Sequence, residues 1–96
     1  MTKKLHIDTL CVQAGYNPTK GEPRQVPIIQ STTFKYDTSE QMGKLFDLEE
    51  NGYFYTRLQN PTNDTTAAQI AAMEGGVAAM LTSSGQAANF FACFNI

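Results

Sequence analysis

Val77-Ala78-Ala79-Met80-Leu81-Thr82-Ser83-Ser84-Gly85-Gln86-Ala87-Ala88 is the stretch on which the reading of this chain turns. Its first six residues form an apolar run closed by turn residues, Gly75-Gly76 before it and Ser83-Ser84-Gly85 after it. A run of that length, bounded in that way, predicts a buried strand of a parallel sheet. After the turn, Ala87, Phe90, Phe91 and Phe94 recur at i, i+3, i+4 and i+7, the period of a helix. Ala88 and Cys93 make the other side of that helix apolar too, so burial on most faces is expected. On the near side of the run, Asn60-Pro61-Thr62 predicts a helix start, with Asn60 as N-cap and Pro61 at the first helical position. Ala67, Ile70, Ala71 and Glu74 share one side of that helix, and Gly75-Gly76 stops it. Helix, strand, turn, helix is the opening of an α/β domain rather than a finished one.

Further upstream the pattern is more polar. Residues 5–14 predict a short helix ended by Gly15, followed by a loop punctuated by Pro and Gly as far as Pro23. Gln25 to Tyr36 is rich in Val, Ile, Thr and aromatics but contains Pro27, which fits an extended arm or edge strand. Thr38 with Gln41 fits a capping box, and Met42, Leu45 and Phe46 supply the apolar face of the helix behind it. Asn51-Gly52 marks a turn, and Tyr53-Phe54-Tyr55-Thr56-Arg57 is expected to be extended.

Composition narrows the function classes. Apolar residues are 42% and charged ones 17%, a globular balance. The formal net charge is −2, and Lys3-Lys4 is the only basic pair, which leaves no electrostatic footprint for nucleic acid. His6 and Asp8 interrupt the apolar core that a signal peptide needs, and no stretch has the length and apolarity of a membrane span. Cys11 and Cys93 stand in no metal-ligand spacing, so two reduced thiols and no metal site are expected, as in a cytoplasmic protein. Among Phe90, Phe91 and Phe94, Cys93 is expected to act as a small hydrophobe. The chain ends at Ile96 without Gly, Pro or a charged cluster to close its apolar helix, and a boundary cut through a domain is the expectation.

Two places suit a phosphate. A strand that runs through Ser83-Ser84-Gly85 into a helix leaves the first helical N–H groups without partners, at the positive end of the helix dipole. Gly85 has no Cβ to hold an oxygen off the main chain. The same residues also serve as plain caps in many proteins, and no P-loop pattern is present. The second place is Tyr53 to Arg57. On an extended segment Tyr55 and Arg57 face one side, two rises of ~3.3 Å apart. A phenolic O–H beside a guanidinium fork suits a phosphate dianion, and Arg57 stacked on a tyrosine is the alternative.

The segment Gly52-Tyr53-Phe54-Tyr55-Thr56-Arg57-Leu58-Gln59-Asn60-Pro61-Thr62 resembles the Y-x-R-x-x-N-P-T segment of the Cys/Met-metabolism family of pyridoxal-phosphate enzymes. Similar stretches follow the family's order: Thr9 to Gly15, Val26 to Phe34, Met73-Glu74-Gly75-Gly76, and Ser83-Ser84-Gly85-Gln86-Ala87-Ala88. The resemblance implies an N-terminal arm with an intersubunit segment over residues 1–59. Over residues 60–96 it implies the beginning of a fold-type-I large domain, a mostly parallel sheet flanked by helices. It implies that Tyr55 and Arg57 bind the cofactor phosphate of a neighbouring subunit, and that Ser84, Gly85 and Gln86 bind the subunit's own through main-chain N–H groups. Gln86, where many relatives carry Met, is most like the O-acetylhomoserine sulfhydrylase branch, which replaces acetate by sulfide or a small thiol to give homocysteine or methionine.

The same resemblance implies a cytoplasmic homotetramer whose active sites are shared between subunits. It places the Schiff-base lysine, the aspartate that pairs the pyridine nitrogen and the tyrosine that stacks on the ring beyond position 96. None of Lys3, Lys4, Lys20, Lys35 and Lys44 has the apolar context of a Schiff-base lysine, so no catalytic residue is expected in the chain and no turnover from it alone. A methionine γ-lyase or a cystathionine synthase or lyase shares every residue role named. A non-catalytic anion-binding or interaction module is the alternative of a different class.

Overall fold

The computed structural model describes residues 4–96, and its regular structure there is helical: α1 (Ile7–Gln13), α2 (Ser39–Phe46), α3 (Pro61–Glu74) and α4 (Gly85–Phe94). Each helix begins at a side chain that accepts from an N–H group left without an intrahelical carbonyl. His6 Nδ1 accepts from the Asp8 N–H (3.3 Å), Thr38 Oγ1 from Gln41 (3.1 Å), Asn60 Oδ1 from Thr62 (2.9 Å) and Ser84 Oγ from Ala87 (3.1 Å). The Thr38–Gln41 box is present in a modified form. The Gln41 side chain reaches back to the Asp37 N–H (2.8 Å), one residue before the N-cap.

Two helix ends share one device. At Gly75 the chain turns left-handed (φ 68°), the Gly76 N–H reaches Ala71 O (2.8 Å) and the Gly75 N–H reaches Ala72 O (3.4 Å). These are the two bonds of a Schellman motif. α2 closes in the same way, with Glu49 N–H to Lys44 O (2.9 Å) and Leu48 N–H to Leu45 O (3.3 Å). There the left-handed position is held by Leu48 (φ 60°), whose Cβ crowds the backbone where Gly75 has none.

The described residues fall into two compact units. Tyr16–Thr66 is one, and Ala67–Ile96 with the described part of Met1–Gly15 is the other, α3 running through both. In the first unit the Gln25–Tyr36 arm meets the Tyr53–Arg57 segment. Thr33 and Tyr55 form an antiparallel bridge, supported by Phe34 N–H to Phe54 O (3.3 Å) and Thr56 N–H to Thr32 O (2.9 Å). Phe34 packs on Tyr53 and Phe46 on Phe54, with ring centroids 5.6 and 4.7 Å apart. Leu45 is buried, and a Cβ on Gly52 would stand 2.9 Å from its Cδ2, so any larger residue at the Asn51-Gly52 turn would make that leucine tip shift. In the second unit Gln69 Nε2 donates to Leu10 O (3.4 Å) and Cys11 O (2.5 Å), tying α1 to α3. Ala67 and Ala71 are buried, whereas Ile70, expected on the same side, is exposed.

Three expectations are corrected. Residues 77–82 form no strand, and Val77 is fully exposed. A strand is made by its ladder, and the one bridge among the described residues is Thr33 with Tyr55, so the expected parallel sheet is not formed there. Helix α4 is exposed rather than buried on most faces. Phe90 touches Phe91 edge-on and stacks on Phe94 at 5.5 Å, all three rings staying exposed, and Cys93 is exposed beside them, as Cys11 is elsewhere. Apolar periodicity says which residues seek cover, and the cover itself has to come from other chain. Finally, the segment Tyr53–Arg57 is not extended throughout. After the bridge at Tyr55 the chain turns, with the Leu58 and Gln59 N–H groups both bonding Tyr55 O (3.1 Å each), so Arg57 lies in a turn.

Candidate functional site

Tyr55 and Arg57 line an open cleft of about 430 Å³ in the unit Tyr16–Thr66. Ile29, Gln30, Ser31 and Thr32 of the arm make one wall, and Tyr55, Thr56 and Arg57 the other. The Arg57 guanidinium carbon stands 5.0 Å from the centre of the Tyr55 ring, the stacked arrangement foreseen as the alternative to a clamp. The two are compatible. Stacking uses the flat face of a guanidinium, while its N–H donors point outward in its plane. Among the described residues Arg57 forms no ion pair, and neither its guanidinium nor the Tyr55 hydroxyl makes a hydrogen bond. The cleft therefore offers a fixed positive charge and a phenolic donor.

Thr56, between these two side chains, is held from three directions. Its N–H bonds Thr32 O, its hydroxyl donates to Ser31 O, and the hydroxyl accepts from Asn60 Nδ2 (3.2 Å). Asn60 is the buried polar residue of the described chain, only 2% exposed, and its amide is fully used. Besides capping α3 it donates to Ile29 O (3.0 Å). Thr62 adds a second tie to the same arm, accepting from the Ile29 N–H (3.0 Å) and donating to Pro27 O (2.7 Å). The sequence marks Asn60 as a cap, but its bond to the arm reaches across 31 residues of chain and leaves no local signal. Two neighbouring side chains serve the same unit. Tyr53 donates to Asp64 Oδ2 (2.9 Å), and its hydroxyl pKa is raised, first by burial and then by that carboxylate. Glu22 is held below the usual carboxylate range by bonds from the Thr19 hydroxyl and N–H.

Ser84, Gly85 and Gln86 lie in the other unit, at the start of α4. The Ser84 hydroxyl is spent on the Ala87 N–H, and Thr82 Oγ1 bonds Ser84 O (2.9 Å). The Gly85 and Gln86 N–H groups have no partner among the described residues, and the space where a Gly85 Cβ would sit is open. That leaves two donors at the positive end of a ten-residue helix. The hydroxyl behaves as a cap, and only the main-chain donors are free for an anion. His6, given no role from sequence, caps α1, and its short spacing to Asp8 was the available sign.

The remaining chemistry is sparse. Lys4, Lys20, Lys35 and Lys44 are exposed, and Lys3 lies outside the described residues. Among the described residues no three His, Cys, Asp or Glu side chains gather as a metal site would need. No helix there is long and apolar enough to cross a membrane.

The family model of Cys/Met metabolism PLP-dependent enzymes matches residues 8–96. The chain belongs to this family. An O-acetyl-L-homoserine sulfhydrylase of Leptospira meyeri is 39% identical over 97 residues, covering all of this chain and 22% of the relative. An L-methionine gamma-lyase of Fusobacterium nucleatum subsp. polymorphum is 46% identical over 87 residues, covering 91% of this chain and 22% of the relative. In three dimensions the chain is similar to a crystal structure of a putative O-acetylhomoserine (thiol)-lyase from Campylobacter jejuni, with a TM-score of 0.86 and 35% identity. That match covers 96% of this chain and 22% of the other, which carries an N′-pyridoxyl-lysine-5′-monophosphate at position 205. The chain thus spans about a fifth of the length of the curated relatives it matches. Pyridoxal phosphate is the cofactor of the family. Its phosphate group fits both donor sets on chemical grounds: a guanidinium with a phenol at Arg57 and Tyr55, and two free N–H groups beside an open glycine at Gly85 and Gln86.

Proposed function

We propose that this chain is the phosphate-gripping N-terminal part of a pyridoxal-phosphate-dependent O-acetylhomoserine sulfhydrylase. The whole protein replaces the acetate of O-acetylhomoserine with sulfide or a small thiol, giving homocysteine or methionine. The observation that carries this reading is the cleft in which Arg57, stacked on Tyr55 and without an acidic partner among the described residues, faces outward from a hydrogen-bonded turn. When bound, pyridoxal phosphate supplies the electron sink for the chemistry, and the protein orients and grips it. In this chain Tyr55 and Arg57 donate to phosphate oxygens presented by a neighbouring subunit. The Gly85 and Gln86 N–H groups, with Ser84 shaping their turn, donate to the phosphate of the subunit's own cofactor. Residues 1–59 act as the intersubunit arm, and residues 60–96 begin the fold-type-I large domain, in which the apolar run 77–82 becomes a strand once paired. The exposed faces of that run and of α4 support this, since they leave large apolar side chains uncovered.

The assembly proposed is a cytoplasmic homo-oligomer, a homotetramer, with shared active sites. With its described lysines all exposed, the 96-residue chain by itself has no turnover. Methionine γ-lyase activity is the second reading, favoured by a relative of that name at 46% identity. The test is to assay the protein at its full natural length with O-acetylhomoserine plus sulfide, and separately with methionine and with cystathionine. Homocysteine from the first mixture at the highest kcat/KM supports the proposal. Preferred breakdown of methionine replaces it with the second reading.

A further inference from the structure

We propose that Asn60 is a positioning residue that braces the two walls of the cleft and thereby sets Tyr55 and Arg57 for a phosphate group. The inference rests on the phosphate reading of those two residues and adds the device that holds them in place. One hydrogen of the Asn60 amide goes to Ile29 O, on the arm wall. The other goes to Thr56 Oγ1, on the wall that carries Tyr55 and Arg57. Both walls line the same cleft, so one planar group spans them. Its oxygen is anchored in turn by the Thr62 N–H at the start of α3, and Thr62 Oγ1 pins the arm a second time at Ile29 and Pro27. The amide is 2% exposed, so water does not compete for these bonds.

A turn is soft unless something fixes it, and a guanidinium meets a phosphate well only in a narrow range of orientations. Thr56, adjacent to both clamp residues, is the point through which the brace acts. Asparagine is required because the site asks for two donors and one acceptor from a single planar group. Aspartate keeps the acceptor for Thr62 and loses both donors, and the charge it adds acts on phosphate in either background, so the brace is read from the difference between backgrounds.

The experiment is an isothermal titration of inorganic phosphate into the cofactor-free protein at its full natural length, at low ionic strength. Four forms are compared: parent, Asn60→Asp, Arg57→Ala and the double variant. Asn60→Asp is expected to weaken phosphate by about fivefold, the typical worth of a neutral hydrogen bond. In the Arg57→Ala background the same substitution is expected to cost distinctly less, because only Tyr55 is left for the brace to set. A general structural role would give equal losses in both backgrounds, and that result overturns the proposal. If Arg57→Ala loses binding while Asn60→Asp keeps it, the brace alone is wrong. If Arg57→Ala binds phosphate as the parent does, the clamp reading falls and the brace with it. Thr56→Val, which keeps the side-chain shape and removes the bond from Asn60 together with the hydroxyl's own bond to Ser31 O, carries the same comparison if Asn60→Asp does not fold.

Discussion

Replacing Asn60 with alanine should be one of the most damaging single changes in the unit Tyr16–Thr66, and its cost can be built up bond by bond. The N-cap bond to the Thr62 N–H contributes about 1 kcal/mol. The two bonds from the amide nitrogen, at 3.0 and 3.2 Å, contribute about 1 kcal/mol each. The sum is about 3 kcal/mol, a large share of the ~5–10 kcal/mol that holds a small domain together. Thr62→Val removes the hydroxyl that bonds Ile29 N–H and Pro27 O, about 2 kcal/mol by the same reckoning. Both side chains hold the arm at Ile29, so the second loss falls on an arm already released. The double variant should therefore cost about 1–2 kcal/mol less than the sum of the singles. Urea unfolding followed by far-ultraviolet circular dichroism reads all four stabilities, with a constant m-value required for the comparison. Strict additivity, or an Asn60→Ala cost under about 1 kcal/mol, would refute the picture of a shared anchor.

Three smaller predictions follow from single contacts. Ser84→Ala should lower stability by about 1 kcal/mol through the lost cap on α4, and Ser84→Gly by only a few tenths, read by the same unfolding experiment. Leu48→Gly should raise stability by about 0.5–1 kcal/mol, since leaving the left-handed strain outweighs glycine's extra freedom when unfolded; a loss of stability would contradict that account. Tyr53 has a folded-state pKa above its ordinary value of 10.0, so its contribution is present below about pH 10 and is lost as pH rises through the folded value. Tyr53→Phe should accordingly flatten the alkaline limb of the stability curve and leave the acid limb unchanged.

Much of the local structure was legible in the residues themselves. Thr38, Asn60 and Ser84 announce helix starts because a short polar side chain caps the N–H groups just ahead of it, and Gly75-Gly76 announces an end because glycine takes the left-handed turn freely. Leu48 hid the end of α2, because nothing in a leucine signals a left-handed backbone. The apolar run at Val77 was read as a strand from its length and flanks, yet a strand also needs a neighbour, and no local pattern supplies one. The tie from Asn60 to Ile29 was invisible for a related reason: a bond across thirty residues depends on where the arm passes. Of the candidate site, the chemistry of Tyr55 and Arg57 was readable from their types, but their stacking was resolved only by the turn at Thr56. At Ser84 the sequence left cap and anion site as rival readings; the structure spends the hydroxyl as a cap and leaves the next two N–H groups without a partner among the described residues.

The most direct test of the central claim is the affinity of pyridoxal phosphate for the protein at its full natural length, measured by equilibrium dialysis for the parent and for Arg57→Ala. Charge-assisted bonds from a guanidinium are worth about 1.5–3 kcal/mol, so the variant should bind about tenfold to a hundredfold more weakly. An unchanged dissociation constant would contradict the assignment of Tyr55 and Arg57 as the grip on the cofactor phosphate.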